Sequence, residues 1–251
     1  MQDFGDGGAF VLGGSGGLGR AICEAFARAG VPVALTYHSD RDAGEATVAA
    51  LETLGVEAHL FQVDSSDRAG VAAALSNAAG VLGGLHSVVY AGGAGFTPEF
   101  LSRTEEAVWQ NWFKYDLMGA INLAQAAIPH LRETRGAFTA LSTYQGKMIE
   151  VRGSPSAISK AAVDRMVAAV AKEEGRHGVR ANSLQCGWIG VDGVERLFAM
   201  MPHLREEKKK TIPIGRVGLP DEVGETVVFL SSRRAGFITG VNLTADGGES
   251  L

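Results

Sequence analysis

The chain has little cysteine, little proline and no sustained hydrophobic run. Its two cysteines, Cys23 and Cys186, make neither a disulfide framework nor a metal-ligand spacing. No apolar stretch reaches the ~18 residues of a membrane helix, and no signal-peptide layout opens the chain. The expectation is therefore a cytoplasmic protein with no membrane partner. An excess of positive charge is also missing: the formal charge is −5, which leaves no electrostatic footprint for nucleic acid. The one basic run, Lys208-Lys209-Lys210, follows Glu206 and Glu207 and reads as a solvated helix face. Repeats, low-complexity segments and Pro/Ser-rich linkers are absent, so residues 1–251 read as one domain. Hydrophobic residues at 46% and charged residues at 20% are ordinary for a globular chain of this length.

What is present is alternation. Short apolar runs (Ala9 to Leu12, Val33 to Thr36, Ala58 to Val63, Ser87 to Tyr90, Ala137 to Leu141, Arg180 to Leu184, Asn242 to Thr244) predict strands. Between them, helical patterns are predicted over Arg20–Ala29, Asp42–Leu54, Ser66–Ala79, Thr104–Arg132, Pro155–Arg176 and Asp221–Leu230. Strand-helix alternation implies right-handed crossovers and an α/β fold: a Rossmann-like, doubly wound parallel sheet with ligands at the carboxyl ends of its strands.

Gly13-Gly14-Ser15-Gly16-Gly17-Leu18-Gly19 lies between the first predicted strand and the first helix. Glycines there permit a tight turn and bring backbone N–H groups and a helix N-terminus close to a pyrophosphate. An NAD-selective site needs a carboxylate about 20 residues further on, for the ribose 2′-OH. The second strand ends instead in Tyr37-His38-Ser39, with no acid before Asp40. Ser39, His38 and Arg41 offer hydrogen bonds to a 2′-phosphate, so NADP(H) is expected over NAD(H).

The spacing Gly13-x-x-x-Gly17-x-Gly19 resembles the loop of the short-chain dehydrogenase/reductase family, and the likeness runs the length of the chain. Asp64 stands at the family's adenine-contacting acid, and Val89-Tyr90-Ala91-Gly92 at its Asn-Asn-Ala-Gly. Val179-Arg180-Ala181-Asn182-Ser183, Cys186-Gly187-Trp188-Ile189 and Asp246-Gly247-Gly248 match its later signatures. The resemblance implies dinucleotide contacts from Gly13, Ser15, Gly16, Gly17, Leu18 and Gly19 in the loop. It adds Tyr37, His38 and Ser39, then Asp64 and Ser65, Ala91 and Gly92, and finally Lys160, Gly187 and Ile189.

Family members use a Ser, a Tyr, a Lys and an Asn for proton chemistry. Counted from Gly146, the Ser position is Thr143, the Tyr position Ser156 and the Lys position Lys160; the Asn position is Asp116. Only the lysine is unchanged. A phenol with a pKa of about 10 can be brought towards neutrality by an ammonium, whereas the Ser156 alcohol cannot be tuned comparably. Tyr144, beside Thr143, offers a phenol from another direction or packs as a loop aromatic. Asp116 could pair with Lys160 or, neutral, donate a proton. Cys186 reads as a small buried residue.

The 2,4-dienoyl-CoA reductases are similar in having Pro-Ser-x-x-x-Lys where this chain has Pro155-Ser156 and Lys160; their Tyr aligns with Gln145. The resemblance implies an NADP(H)-dependent oxidoreductase acting on a carbonyl or a carbonyl-conjugated double bond. A nucleotide-binding partner subunit without turnover, or a lyase or isomerase using Asp116, are the alternatives. Residues 191–212 stand at the family's substrate lid, where Phe198, Met200, Met201 and Leu204 suggest an apolar small molecule or acyl thioester, or simply pack the lid down. Phe96 and Phe100 are further candidates for that pocket. Apolar residues on more than one face of the Pro155–Glu174 helix, together with the resemblance, predict a homo-oligomer, tetramer or dimer.

Overall fold

Strands β1 (Gly8–Leu12), β2 (Val33–Tyr37), β3 (Ala58–Gln62), β4 (Leu85–Tyr90), β5 (Ala137–Thr143), β6 (Arg180–Cys186) and β7 (Asn242–Ala245) form one sheet. It is seven-stranded, in the order β3-β2-β1-β4-β5-β6-β7, and every pairing is parallel. These features come from a computed structural model that describes residues 3–95 and 98–251. The interior strands β1, β2 and β4 are buried along their whole length, as a sheet covered on both faces requires. The edge strands β3 and β7 are only partly covered.

Nine helices occupy the connections between described strands and the stretch before β7. They are α1 (Gly17–Arg28), α2 (Arg41–Thr53), α3 (Arg68–Leu82), α4 (Glu106–Trp112), α5 (Gly119–Thr134), α6 (Ser154–Glu174), α7 (Asp192–Met200), α8 (Pro202–Thr211) and α9 (Pro220–Ser231). Successive residues of a strand point to opposite faces, and the core divides accordingly. Phe10 and Val88 pack with Leu123 and Val167 on the α3/α5/α6 face. Val11 and Leu35 pack with Ile22, Phe26 and Val227 on the α1/α9 face. The doubly wound single-domain sheet expected from the sequence is the one observed, and its order reverses between β1 and β4, where a crevice opens.

Two expectations need correction. The single helix expected over Thr104–Arg132 is interrupted: between α4 and α5, Phe113–Met118 widens into a π-helical turn, and Asp116 sits in it. Such bulges re-aim side chains. The lysine run does not form one solvated face either. Lys209 and Lys210 are exposed, but Lys208 is 6% exposed, because α8 turns that position inward.

Candidate active site

The carboxyl ends of β4, β5 and β6 bring the expected site residues to one edge. Thr143 closes β5 and is in register with Cys186 at the end of β6, which is in register with Ala245 of β7. Ser156 lies in the first turn of α6, with Lys160 one turn later on the same face. Lys160 reaches back between two strand ends. Its Nζ donates to Leu141 O at 3.3 Å and Gly92 O at 3.4 Å, and lies 3.5 Å from Asp116 Oδ1.

Asp116 is fully buried and its oxygens are taken up as acceptors. Ala94 N–H donates to Oδ1 at 3.0 Å and Ser159 Oγ to Oδ2 at 2.9 Å. The Ala94 N–H and the Lys160 ammonium both approach Oδ1, so Asp116 is placed to pair with Lys160. Gly93 makes the approach possible, since a Cβ there would stand 2.9 Å from Asp116 Oδ1. Ser159 was not singled out from the sequence. The signal was there: a hydroxyl directly before Lys160 in an otherwise apolar helix turn.

Thr143 is half-buried, and its Oγ1 accepts from Gln145 N at 3.4 Å, which leaves its proton available for an outside acceptor. Tyr144 faces elsewhere. It is 2% exposed and its hydroxyl donates to Glu150 Oε1 while accepting from Trp188 Nε1 at 3.1 Å. Burial first, then the Glu150 carboxylate, push its phenol far above the ordinary tyrosine range. Cys186 is buried and its thiol is pushed up to about 12 by burial, against the opposing pull of Lys160, so it is an inert packing residue as expected.

Glu150, Trp188, Lys208 and Glu249 form the cluster around Tyr144, and sequence reading assigned none of them a role. Lys208 Nζ lies 2.5 Å from Glu150 Oε1, 2.8 Å from Glu249 Oε1 and 4.7 Å from the Trp188 ring centre. Of the apolar lid candidates, Phe198 is buried and stacks on Trp188 with ring centres 5.8 Å apart, so it packs the segment down. Met200 and Met201 are exposed, and Phe100 lies under Arg103 and Arg152 at the surface. Phe96 lies outside the described residues.

At the other end of the crevice, the residues fit a dinucleotide. Helix α1 begins at Gly17 after Gly16, with no side-chain cap and no acid in its first turn. Its first N–H groups and the positive end of its dipole are therefore placed to receive an anion. A side chain at Gly19 would collide with Gly13 O, so that turn closes only with glycine. Gly13 N donates to Thr36 Oγ1 at 3.0 Å and Ser15 N to Thr36 O at 3.2 Å, which fixes the loop on β2.

Tyr37 is buried; His38 and Ser39 are exposed after β2. Asp40 is turned onto the N-terminus of α2, accepting from Ala43 N at 3.0 Å, and Arg41 is drawn to Glu45 at 2.7 Å. Asp64 accepts from Ser66 N at 2.8 Å and Ser66 Oγ at 2.7 Å, and His38 Nε2 stands 3.9 Å from its other oxygen. Partial burial works against the Asp64 charge, but the Ser66 bonds outweigh it and hold the carboxyl below its usual range. Ser65 O accepts from Asn122 Nδ2 at 3.0 Å, which ties this end of the crevice to α5. Ala91 N donates to Leu12 O at 2.9 Å across the switch point, so Ala91 and Gly92 border the glycine loop. Gly187 N donates to Ala245 O at 2.9 Å, and Ile189 is buried beside it.

Comparison with known proteins agrees with this geometry. A family model described as enoyl-(acyl carrier protein) reductase matches residues 13–250. The L-fucose dehydrogenase of Oryctolagus cuniculus is 33% identical over 244 residues, 96% of this chain and 84% of that protein. The 3-oxoacyl-(acyl-carrier-protein) reductase FabG of Staphylococcus aureus is 30% identical over 242 residues, 96% of each chain. A short-chain dehydrogenase/reductase from Serratia marcescens superposes with a TM-score of 0.91 at 26% identity, over 99% of this chain and 100% of that one. These relatives are oxidoreductases by name. The chain belongs to the short-chain dehydrogenase/reductase family.

Proposed function

We propose that the chain is an NADP(H)-dependent oxidoreductase that reduces a carbonyl, or a double bond conjugated to one, in a largely apolar small molecule or acyl thioester. The observation that carries this reading is Lys160, anchored between the ends of β4 and β5 and charge-balanced by buried Asp116, next to a glycine loop closed for a pyrophosphate.

The uncapped start of α1 would hold the pyrophosphate, and Lys160 the nicotinamide ribose. His38 and Ser39 would carry the 2′-phosphate, because Arg41 is occupied by Glu45. Bound there, the reduced nicotinamide supplies a hydride. Thr143 donates a hydrogen bond to the substrate oxygen, with the Ser156 hydroxyl as a second donor at the head of α6. Two neutral hydroxyls can hold a developing oxyanion electrostatically. They are poor proton sources, because an aliphatic alcohol lacks the phenol's acidity. Reduction of a conjugated double bond suits this set best: the electrons collect on the oxygen as an enolate, and its carbon can then take a proton from water. Ordinary ketone reduction loses the roughly 10²–10⁴ that a positioned acid contributes.

Exposed Ile149 and Val151 on the loop after β5, with Met200 and Met201 at the α7–α8 junction, support an apolar substrate. The outward-facing Ile158, Ala161 and Ala169 of α6 support burial of that face in a homo-oligomer. Among the described residues no helix is long and apolar enough to cross a membrane. Parallel NADPH and NADH titrations by nucleotide fluorescence, followed by turnover on ketones and on 2-enoyl and 2,4-dienoyl thioesters, test the reading. Tighter NADPH binding with thioester turnover is expected. NADPH binding with no turnover on either panel points instead to a nucleotide-binding partner subunit.

A further inference from the structure

The π-helical turn at Phe113–Met118 sends side chains to both ends of the crevice. Asp116 stands 3.5 Å from Lys160 Nζ at one end. Tyr115, one residue earlier, is half-buried, and its ring centre lies 6.1 Å from that of His38, just past the end of β2. Lys114 lies over Tyr115: its Nζ is 4.7 Å from the ring centre and donates to the phenol oxygen at 3.2 Å. His38 Nε2 is in turn 3.9 Å from Asp64 Oδ2. His38, Asp64, Tyr115 and Lys114 therefore converge from β2, the loop after β3 and the widened turn. The Tyr115 hydroxyl first, and the more distant Asp64 charge after it, hold the Lys114 ammonium above the ordinary lysine range, so it is charged at neutral pH.

A phosphate on the ribose 2′-oxygen brings about two negative charges and calls for a cation. The arginines beside the glycine loop and β2 are committed elsewhere, Arg20 to Glu24 at 2.8 Å and Arg41 to Glu45 at 2.7 Å. Ser39 carries no charge, and neutral His38 offers only a hydrogen bond. Lys114 is exposed and, among the described residues, has no carboxylate within ion-pair distance. We propose that Lys114, steadied on the Tyr115 ring, is the residue that makes the nucleotide site select a 2′-phosphate. It supplies the positive charge, while His38 and Ser39 supply hydrogen bonds. Selection thus comes from the helical side of the crevice, rather than from the glycine loop or the end of β2. This rests on reading the cofactor as NADP(H).

Calorimetric titration of the full apo chain with adenosine 2′,5′-bisphosphate and with 5′-AMP tests this without any hydride transfer. The wild type is expected to bind the bisphosphate more tightly than 5′-AMP, by a margin that narrows as salt is raised. Lys114→Met should weaken the bisphosphate at least about fivefold and leave 5′-AMP unchanged, whereas Lys114→Arg should keep most of the preference. Arg68→Met, which removes another cation exposed near Asp64 in sequence, should change neither ligand. A preference for the bisphosphate that survives intact in Lys114→Met would overturn the role of Lys114 and leave the NADP(H) reading standing. Equal weakening of both ligands would also overturn it, since the loss would not concern the 2′-phosphate. A wild type with no preference would sink the NADP(H) reading and the role of Lys114 together. If Lys114→Met does not fold, Lys114→Gln gives the same reading.

Discussion

Lys160 Nζ stands 3.5 Å from Asp116 Oδ1, and Asp116 is fully buried with Ser159 and the Ala94 backbone bound to it. A lysine whose charge is already met by a carboxylate has less field to offer a third group. We propose that Asp116 and Ser156, read as the family's Asn and Tyr positions, are linked: with no phenol to acidify, the ammonium is balanced by Asp116 instead.

Restoring the phenol alone should then be insufficient. Ser156→Tyr is expected to gain little ketone reduction, whereas Ser156→Tyr with Asp116→Asn should exceed it by about 10- to 100-fold, the scale of a positioned general acid. Steady-state kinetics on the same ketone panel read the comparison. Equal activity of the single and double variants would remove the link.

Removing Lys160 should cost stability as well as cofactor affinity. Lys160→Met leaves buried Asp116 without its cation, and is expected to lower unfolding free energy by about 3–5 kcal/mol. Adding Asp116→Asn should recover a large part of that loss, since the two residues act as a pair. Denaturant unfolding of the four proteins completes the cycle, and additive effects would contradict the pairing.

The Tyr144 hydroxyl donates to Glu150 and accepts from Trp188, so we propose that its role is structural. Tyr144→Phe is expected to lower stability by about 1–2 kcal/mol, because the half-buried Glu150 carboxylate loses a hydrogen bond. NADPH affinity should not change. A loss of turnover much greater than the loss of stability, at unchanged KM, would instead make Tyr144 a proton donor.

Gly19→Ala should disable the nucleotide site, as the added methyl would meet Gly13 O and push α1 off the loop. An affinity loss of more than about tenfold for NADPH is expected, corresponding to backbone displacement of modest cost. Fluorescence titration measures it directly.

His86 gives the acid limb of the stability curve a feature of its own. It is 3% exposed, and burial, with Arg233 nearby, pushes its imidazole down to about 4. The unfolded chain takes up that proton near the ordinary value of about 6.5, before the folded one does. Stability is therefore full above about 6.5 and falls as pH drops towards about 4, by on the order of 2–3 kcal/mol. His86→Phe, matched in shape to the ring that packs on Phe4, should flatten that interval in pH-dependent denaturation.

The sheet was legible because its strands are buried on both faces and read as unbroken apolar runs, as in Ala9 to Leu12 and Val33 to Thr36. The glycine loop and Lys160 were legible because backbone approach and charge need fixed residue types at fixed spacing. The π-helical turn at Phe113–Met118 was not, since it leaves the helical periodicity on either side nearly intact. Nor was the inward turn of Lys208. A lysine between charged neighbours looks solvated unless its partners are known, and Glu150 and Glu249 lie 58 and 41 residues away. Long-range pairing of this kind leaves no local pattern.

The most direct test of the proposed reaction is single-turnover oxidation of bound NADPH on mixing with a 2,4-dienoyl or 2-enoyl thioester, followed by nucleotide absorbance. Oxidation that is abolished by Thr143→Val with NADPH affinity retained is the expected result. NADPH bound tightly and left unoxidised by thioesters and ketones alike would contradict it.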